Sequence, residues 1–378
     1  MRGGNRWTAF WGAALLLFCV MRPLPARAAA PGVSSLSAVI YEPESGRVLY
    51  EKDGHTARPM ASTTKLMTAL VAGEALEPER SVQIPAGTVP VEGTQVGLSV
   101  GETVTVRDLL AALLLSSGND AANALALLTA GSFEEFAVRM NETAARLGMA
   151  DSHFVTPSGL DAEGHGASAA DMARLGAAVL KVPLLAELCC SRTAAVTLGG
   201  RHCTLSNHNK LLKLYDGCIG LKTGFTKNSG RCLVSAVERN GITLVVATLN
   251  GGDYWNDHMA LYEYGFSLVR REALPNAPTE CPIAGGVRDS VPLTATGADA
   301  AVLTAGETLT ATVELPDFLW APVEPGQPVG RVIYTAGDRV AAVRILTAAE
   351  EVPARPVPGF GVRFCRHLIQ LTEALLGG

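Results

Sequence analysis

Short apolar runs alternate with longer runs at helical spacing, and this pattern predicts an α+β domain over residues 31–273. Two short runs flanking residues 43–46 predict a β-hairpin. The predicted helices lie at residues 60–72, 105–115, 121–129, 133–147, 169–180 and 254–270, and the later strands at residues 193–198, 201–205, 232–237 and 242–249. This order predicts helices packed against an antiparallel sheet.

The pattern changes after a linker at residues 274–278 that contains two prolines. Short β-rich runs separated by Gly, Pro and Asp follow, and they predict a small all-β domain at residues 280–350. A second proline-rich linker leads to residues 360–378, which alternate apolar and polar faces at helical spacing. Two interpretations of this amphipathic helix remain open: contact with a membrane surface, or packing on the β-rich domain.

The N-terminus has the order of a secretory signal peptide. Arg2 and Arg6 precede an apolar run, and small residues before Ala28 offer a cleavage site. We therefore predict a signal peptide at residues 1–28 and export to the extracytoplasmic face of the cell membrane. The alternative is an uncleaved anchor, although the run is shorter than the ~20 residues that a spanning helix needs.

Composition and charge exclude some classes of protein. The chain has 378 residues, 48% hydrophobic and 18% charged, and its formal net charge is −5. These values indicate a globular protein with no nucleic-acid partner, since no basic stripe stands out.

Eight cysteines are present, and Cys19 lies in the predicted signal peptide. Disulfides among Cys203, Cys218 and Cys232, or simply buried thiols, remain alternatives. The spacing of cysteines and histidines does not indicate zinc, and no metal or cofactor is predicted.

Three short motifs carry candidate chemistry. Ser62 and Lys65 are three residues apart on a predicted helix, so a hydroxyl nucleophile and an amine base share one face. Ser117-Gly118-Asn119 lies between two predicted helices, where we expect a surface turn. Lys222-Thr223-Gly224 lies in a strand-like stretch between glycines. Each motif alone also fits a helix cap or an exposed turn, whereas the set in this order is typical of penicillin-binding proteins and class A β-lactamases.

The residues around these motifs narrow the comparison. The segments at 46–51, 61–65, 113–122, 154–161 and 220–226 closely resemble the D-alanyl-D-alanine carboxypeptidases, the S11 serine peptidases, which are low-molecular-mass penicillin-binding proteins. The resemblance covers about residues 35–270. It implies a penicillin-binding, β-lactamase-like catalytic domain, and more loosely an accessory β domain and a membrane-anchoring tail helix.

The resemblance also implies a reaction and its residues. Ser62 would attack the bond between the two terminal D-alanines of a peptidoglycan stem peptide, and β-lactams would acylate the same residue. Lys65 would accept the Ser62 proton, and Ser117 would relay protons to the leaving amine. The implied substrate-binding residues are Asn119, Lys222, Thr223, Gly224 and Phe225, with the backbone amides of Ser62 and Phe225 as the oxyanion hole.

Two alternative functions remain open. A β-lactamase needs fast deacylation, and the Glu-x-x-Leu-Asn pattern that class A enzymes use does not occur between Asn119 and Lys222. A catalytically silent wall-binding protein of the same fold is the other alternative. His165 is expected to be a surface or packing residue, in a loop from Asp161 that we expect to be mobile.

Overall fold

The computed structural model describes residues 29–356 and 364–370. These residues divide into two compact units, at 1–269 and 270–378 in the numbering of the full chain. The predicted signal peptide at residues 1–28 lies outside the described residues, as does most of the predicted tail helix. Within the described part, no helix has the length and apolarity needed to cross a membrane.

The first unit contains eight α-helices and nine strands among its described residues. The helices are α1 (Lys65–Ala75), α2 (Val106–Leu114), α3 (Asn119–Ala130), α4 (Phe133–Arg146), α5 (Ala169–Leu180), α6 (Pro183–Cys190), α7 (Leu211–Leu214) and α8 (Tyr254–Leu268). The strands are β1 (Ser37–Glu42), β2 (Arg47–Lys52), β3 (Ser81–Gln83), β4 (Thr103–Thr105), β5 (Thr193–Leu198), β6 (Arg201–Ser206), β7 (Cys218–Thr226), β8 (Gly230–Arg239) and β9 (Ile242–Gly251).

The main sheet has five antiparallel strands in the order β2-β1-β9-β8-β7. Strand β7, with its motif, is therefore an edge strand. Leu233, Val234 and Ala247 of the central strands are fully buried, since side chains on both faces of the sheet are covered. Helices α5 and α8 both pack on β9.

Three of the eight helix starts described above follow local capping signals. Thr105, Ser132 and Ser168 accept hydrogen bonds from the backbone N–H three residues ahead, and so begin α2, α4 and α5. Helix α6 was not predicted from the sequence, although Pro183 stands at its first turn. The predicted helix at residues 254–270 ends earlier, because Val269–Ala273 continues as strand β10.

The second unit is built of β-strands, as predicted. They are β11 (Glu280–Ala284), β12 (Ser290–Gly297), β13 (Ala300–Thr304), β14 (Leu309–Glu314), β15 (Leu319–Trp320), β16 (Pro328–Ala336) and β17 (Arg339–Ala348). Six of them form one sheet in the order β14-β16-β17-β12-β11-β15, and β13 pairs with β10. The described tail residues 364–370 are helical.

Candidate active site

Ser62 and Lys65 lie where a 3-10 turn, Ala61–Thr64, runs directly into α1. The sequence predicted one α-helix here, whereas the structure places Ser62 on the tighter turn and Lys65 at the first α-helical position. Ala61 has a φ of 48°, in the left-handed region that costs a non-glycine residue about 1 kcal/mol. This backbone conformation immediately precedes the candidate nucleophile.

The Lys65 ammonium is enclosed by three oxygen atoms. Its Nζ lies 2.8 Å from Ser62 Oγ, 2.6 Å from Asn119 Oδ1 and 2.6 Å from the backbone oxygen of Ser158. Lys65 itself has no exposed surface. The residues that contact Nζ come from the nucleophile turn, from α3 and from the loop before α5.

Burial is the main reason why the pKa of Lys65 is lowered well below its usual value. The positive charge of Lys222 lowers the pKa further, while the carboxylate of Asp120 opposes the shift. A neutral amine has two N–H groups and one lone pair. Asn119 Oδ1 and the Ser158 carbonyl can only accept, so the lone pair of neutral Lys65 is directed to the Ser62 hydroxyl.

Ser117 and Asn119 lie at the junction of α2 and α3, as predicted, but not on a surface turn. Their side chains are almost buried, at 7% and 4% exposure. Asn119 Nδ2 donates to the backbone oxygen of Glu92 at 2.6 Å, which fixes Oδ1 towards Lys65. Ser117 has a φ of 63°, and its hydroxyl makes no hydrogen bond within the residues that the structure describes.

Asp120 explains why this junction is buried. Its carboxylate accepts hydrogen bonds from the backbone N–H groups of Val96, Gly97 and Leu98 at 2.9 to 3.1 Å. A buried carboxylate is stable only when its oxygens are paired in this way. The loop at residues 92–98 is therefore fixed to α3, next to Asn119.

The third motif lies on edge strand β7. Gly224 approaches the nucleophile turn so closely that a Cβ atom there would lie 2.8 Å from Met60 O and 3.0 Å from Ser62 N. A larger residue would push β7 away from Ser62. Thr223 is half-buried and Phe225 is 62% exposed.

Lys222 is buried beside these residues. Its Nζ donates to the backbone oxygen of Thr223 at 3.1 Å, and no carboxylate pairs with it in the described part of the chain. Burial lowers the pKa of Lys222 to about 8. Lys222 is thus mostly protonated at neutral pH, a cation with spare donors.

The contribution of the loop at residues 155–165 was not predicted from the sequence. The Ser158 carbonyl contacts Lys65, and a Cβ at Gly159 would lie 1.9 Å from Ala61 O. His165 is buried: its Nδ1 accepts from Val155 N at 2.9 Å, so Nε2 carries the proton and donates to Thr64 Oγ1 at 3.0 Å. Of the two expectations for His165, a surface residue or a packing residue, the structure shows packing, and the contact with Thr64 joins the end of the Asp161–His165 loop to the nucleophile turn.

Two family models match the chain. The one described as D-alanyl-D-alanine carboxypeptidase, peptidase S11, matches residues 25–252, more than half of the chain. The chain belongs to this family. The model of the penicillin-binding protein 5 C-terminal domain matches residues 276–354. The predicted family, the fold class and the enzyme class, a serine-type D-Ala-D-Ala carboxypeptidase, are confirmed.

Named relatives agree with this membership. The chain is 36% identical over 238 residues to D-alanyl-D-alanine carboxypeptidase DacB2 of Mycobacterium tuberculosis, covering 61% of this chain and 81% of that protein. It is 28% identical over 332 residues to D-alanyl-D-alanine carboxypeptidase DacF of Bacillus subtilis, covering 84% and 85%. These relatives support the carboxypeptidase interpretation over a β-lactamase.

Solved structures extend the similarity to both units. Penicillin binding protein 5 from Haemophilus influenzae superposes with a TM-score of 0.66 at 25% identity, covering 86% of this chain and 99% of that chain. A mutant of the Streptomyces K15 DD-transpeptidase covers 63% of this chain and all of its own, with a TM-score of 0.59 at 30% identity.

Proposed function

We propose that Ser62 is the nucleophile that removes the terminal D-alanine from peptidoglycan stem peptides, with Lys65 as its base. The observation that carries this proposal is the contact set of Lys65 Nζ, in which Ser62 Oγ is the one partner able to give a proton. Ser62 Oγ bonds to the carbonyl carbon of the scissile amide, and its proton passes to Lys65.

The leaving group then needs a proton. Lys65 returns it to the amine nitrogen, with the Ser117 hydroxyl as the relay, and D-alanine leaves while Ser62 holds the rest of the peptide as an ester. Water attacks the ester, again with Lys65 as base, and restores the Ser62 hydroxyl. The developing oxyanion is stabilised by the backbone N–H groups of Ser62 and Phe225.

Substrate recognition is assigned to β7 and α3. Lys222, with Thr223, binds the free terminal carboxylate, because a buried ammonium without a carboxylate partner of its own is suited to an anionic ligand. An exopeptidase must recognise this free carboxylate, whereas an endopeptidase need not. Gly224 lets the peptide backbone lie along the strand edge, and the Asn119 amide orients the substrate or Lys65.

The proposal includes the place where the protein acts. The N-terminal sequence supports export to the extracytoplasmic face of the membrane, and the apolar face of the tail supports a peripheral membrane contact. β-Lactams, which mimic the terminal dipeptide, would acylate Ser62.

The direct test is release of D-alanine from diacetyl-Lys-D-Ala-D-Ala by the mature chain. Wild type should release it, Ser62→Ala should not, and Ser81→Ala, at an exposed serine of β3, should behave as wild type. No release by wild type would contradict the proposal and favour a silent protein. Rapid multiple turnover of nitrocefin would instead favour a β-lactamase.

A further inference from the structure

The second unit carries an exposed aromatic pair that the catalytic proposal does not use. Trp320 is 72% exposed and Phe318 is 44% exposed. Their rings meet edge to face with centroids 5.2 Å apart. Aromatic side chains of this size are normally largely buried, and an exposed cluster of them marks an interaction surface.

The pair lies at a defined end of the β domain. Trp320 is in register with Ala284 at the end of β11, and Ala321 N donates to Ala284 O at 3.0 Å. The turn after β11 carries Val287, which is 48% exposed. We call Val287, Phe318 and Trp320 the aromatic tip.

The chain leaves the domain at this same end. Arg355 N donates to Gly285 O at 2.8 Å, and Val287 N donates to Pro353 O at 3.0 Å. Val323 and Val352 exchange two backbone hydrogen bonds of 3.0 Å. The segment that leads to the tail therefore runs between the strand after Trp320 and the turn that carries Val287.

We propose that the aromatic tip is a second membrane contact, inserted at the lipid interface beside the tail helix. Nine residues of chain reach at most about 32 Å, so Phe364, the first described residue of the tail helix, lies within that distance of Arg355. Phe364, Leu368 and Ile369 of that helix are exposed apolar side chains. The inference rests on the proposed membrane contact of the tail, which brings this end of the domain to the bilayer.

The chemistry of the tip fits a lipid interface. Tryptophan concentrates at membrane–water boundaries, because its ring is apolar and its N–H remains hydrated. The tip has no excess of positive charge, because Arg288 pairs with Glu350, Arg355 pairs with Asp289, and the exposed Asp317 next to Phe318 adds a carboxylate. Insertion should therefore depend on ring burial rather than on anionic lipids, and zwitterionic vesicles are the appropriate probe.

The fluorescence of Trp320 can report insertion of the tip into a membrane. Of four tryptophans, Trp7 and Trp11 lie in the predicted signal peptide, so the mature chain keeps Trp255 and Trp320. In a Trp255→Phe background, mature full-length protein mixed with phosphatidylcholine vesicles should show a blue-shifted Trp320 emission. Brominated phosphatidylcholine should quench that emission.

A second measurement compares binding. Trp320→Ser combined with Phe318→Ser should weaken vesicle binding at least about fivefold, the loss expected when apolar rings no longer partition. Val340→Ser is the matched control, because Val340 is 56% exposed but lies at the opposite end of β17 from the chain exit. That control should bind as wild type.

Three results would overturn the proposal. They are unchanged Trp320 emission on bound protein, equal binding by the double variant and wild type, and no vesicle binding by the full-length chain. A chain that ends after residue 358 should lose most binding, which tests the tail separately. Release of D-alanine from soluble peptide should be unchanged in the double variant, which shows that the variant is folded, whereas the catalytic proposal is tested by release from wild type.

Discussion

Lys65 and Lys222 are both buried lysines near Ser62, and they differ in what surrounds the ammonium. Lys65 Nζ contacts three oxygen atoms from three parts of the chain, whereas the partner of Lys222 Nζ is the carbonyl of the next residue. Burial lowers the pKa of both groups, and the charge of Lys222 adds to the shift at Lys65.

We propose that this difference in surroundings gives two residues of the same type different roles, Lys65 as the base and Lys222 as the carboxylate-binding cation. Lys65 is fully enclosed by acceptors and one hydroxyl, so removing its proton leaves a lone pair with a defined direction. Lys222 keeps unused donors and a pKa of about 8, so near neutral pH it is a cation suited to a carboxylate. The positive charge at Lys222 also favours the neutral form of Lys65.

The largest expected effect follows from removing the base. Lys65→Ala should lower the rate of D-alanine release by about 10³-fold, because general base catalysis contributes about 10²–10⁴-fold. Lys65→Arg should be equally inactive, since a guanidinium does not give up its proton. Lys181→Ala, at an exposed lysine, is the control. A Lys65→Arg enzyme with near wild-type acylation by a β-lactam would remove Lys65 from the base role.

Removing the second lysine should act mainly on binding. Lys222→Ala should lower kcat/KM for a peptide with a free C-terminus by about 10- to 100-fold, the loss expected for one charge-assisted contact. Lys222→Arg should retain more activity than Lys222→Ala, and Lys227→Ala, at an exposed neighbour, should behave as wild type.

A peptide with an amidated C-terminus tests whether Lys222 recognises the carboxylate. Wild type should hydrolyse it poorly, and Lys222→Ala should cause little further loss. If the variant loses as much on the amide as on the acid, Lys222 does not recognise the carboxylate.

A substitution in the loop at residues 155–165, whose Ser158 carbonyl contacts Lys65, should lower activity less than the lysine substitutions do. His165→Ala removes the acceptor of Val155 N–H and the donor to Thr64, and leaving one buried N–H unpaired costs about 1–3 kcal/mol. We expect a lower Tm and a fall in kcat of about tenfold, since misplacing Ser158 O disturbs Lys65. A variant with a lower Tm but unchanged kcat would show that the loop stabilises the fold without positioning the base. His202→Ala is the exposed control.

The smallest effect is a pH dependence of substrate binding. Lys222 binds a carboxylate only when protonated, and its pKa of about 8 means that half of this binding form is lost at pH 8. KM for the acid peptide should therefore rise as the pH rises through 8, and this rise should vanish in Lys222→Ala. A flat KM between pH 7 and 9 in wild type would contradict the assignment.

The stability of the fold at acidic pH depends on a different residue from the one that sets the pH dependence of KM. Burial lowers the pKa of His165 to about 4, below its ordinary value of 6.5. An unfolded chain therefore binds a proton that the folded chain does not, and stability is lost as the pH falls from 6.5 towards 4. The Tm of wild type should fall in this window, and His165→Asn should make the fall shallower.

Some residues of the candidate site could be predicted from the sequence, and others could not. Ser62, Lys65 and Lys222 could be proposed as site residues because their side chains form motifs at fixed spacing. Ser158 acts through its backbone carbonyl, which has no sequence signature. The burial of Ser117 and Asn119 depends on the loop that Asp120 holds, a tertiary contact that local spacing does not encode.

In the fold, too, local features could be predicted from the sequence and long-range contacts could not. Capping residues such as Ser168 predicted helix starts well, because the signal is local. Strand order was not predicted, since the pairing of β1 with β9 joins residues far apart in sequence. The position of Trp320 beside the chain exit follows from such a pairing too.

In the proposed reaction Ser62 is the residue that becomes acylated. Mature protein should be treated with benzylpenicillin, and the adduct should be located by peptide mass spectrometry. We expect one adduct per chain on the peptide that contains Ser62, absent in Ser62→Ala and strongly slowed in Lys65→Arg. An adduct on another residue, or an undiminished adduct in Ser62→Ala, would contradict it.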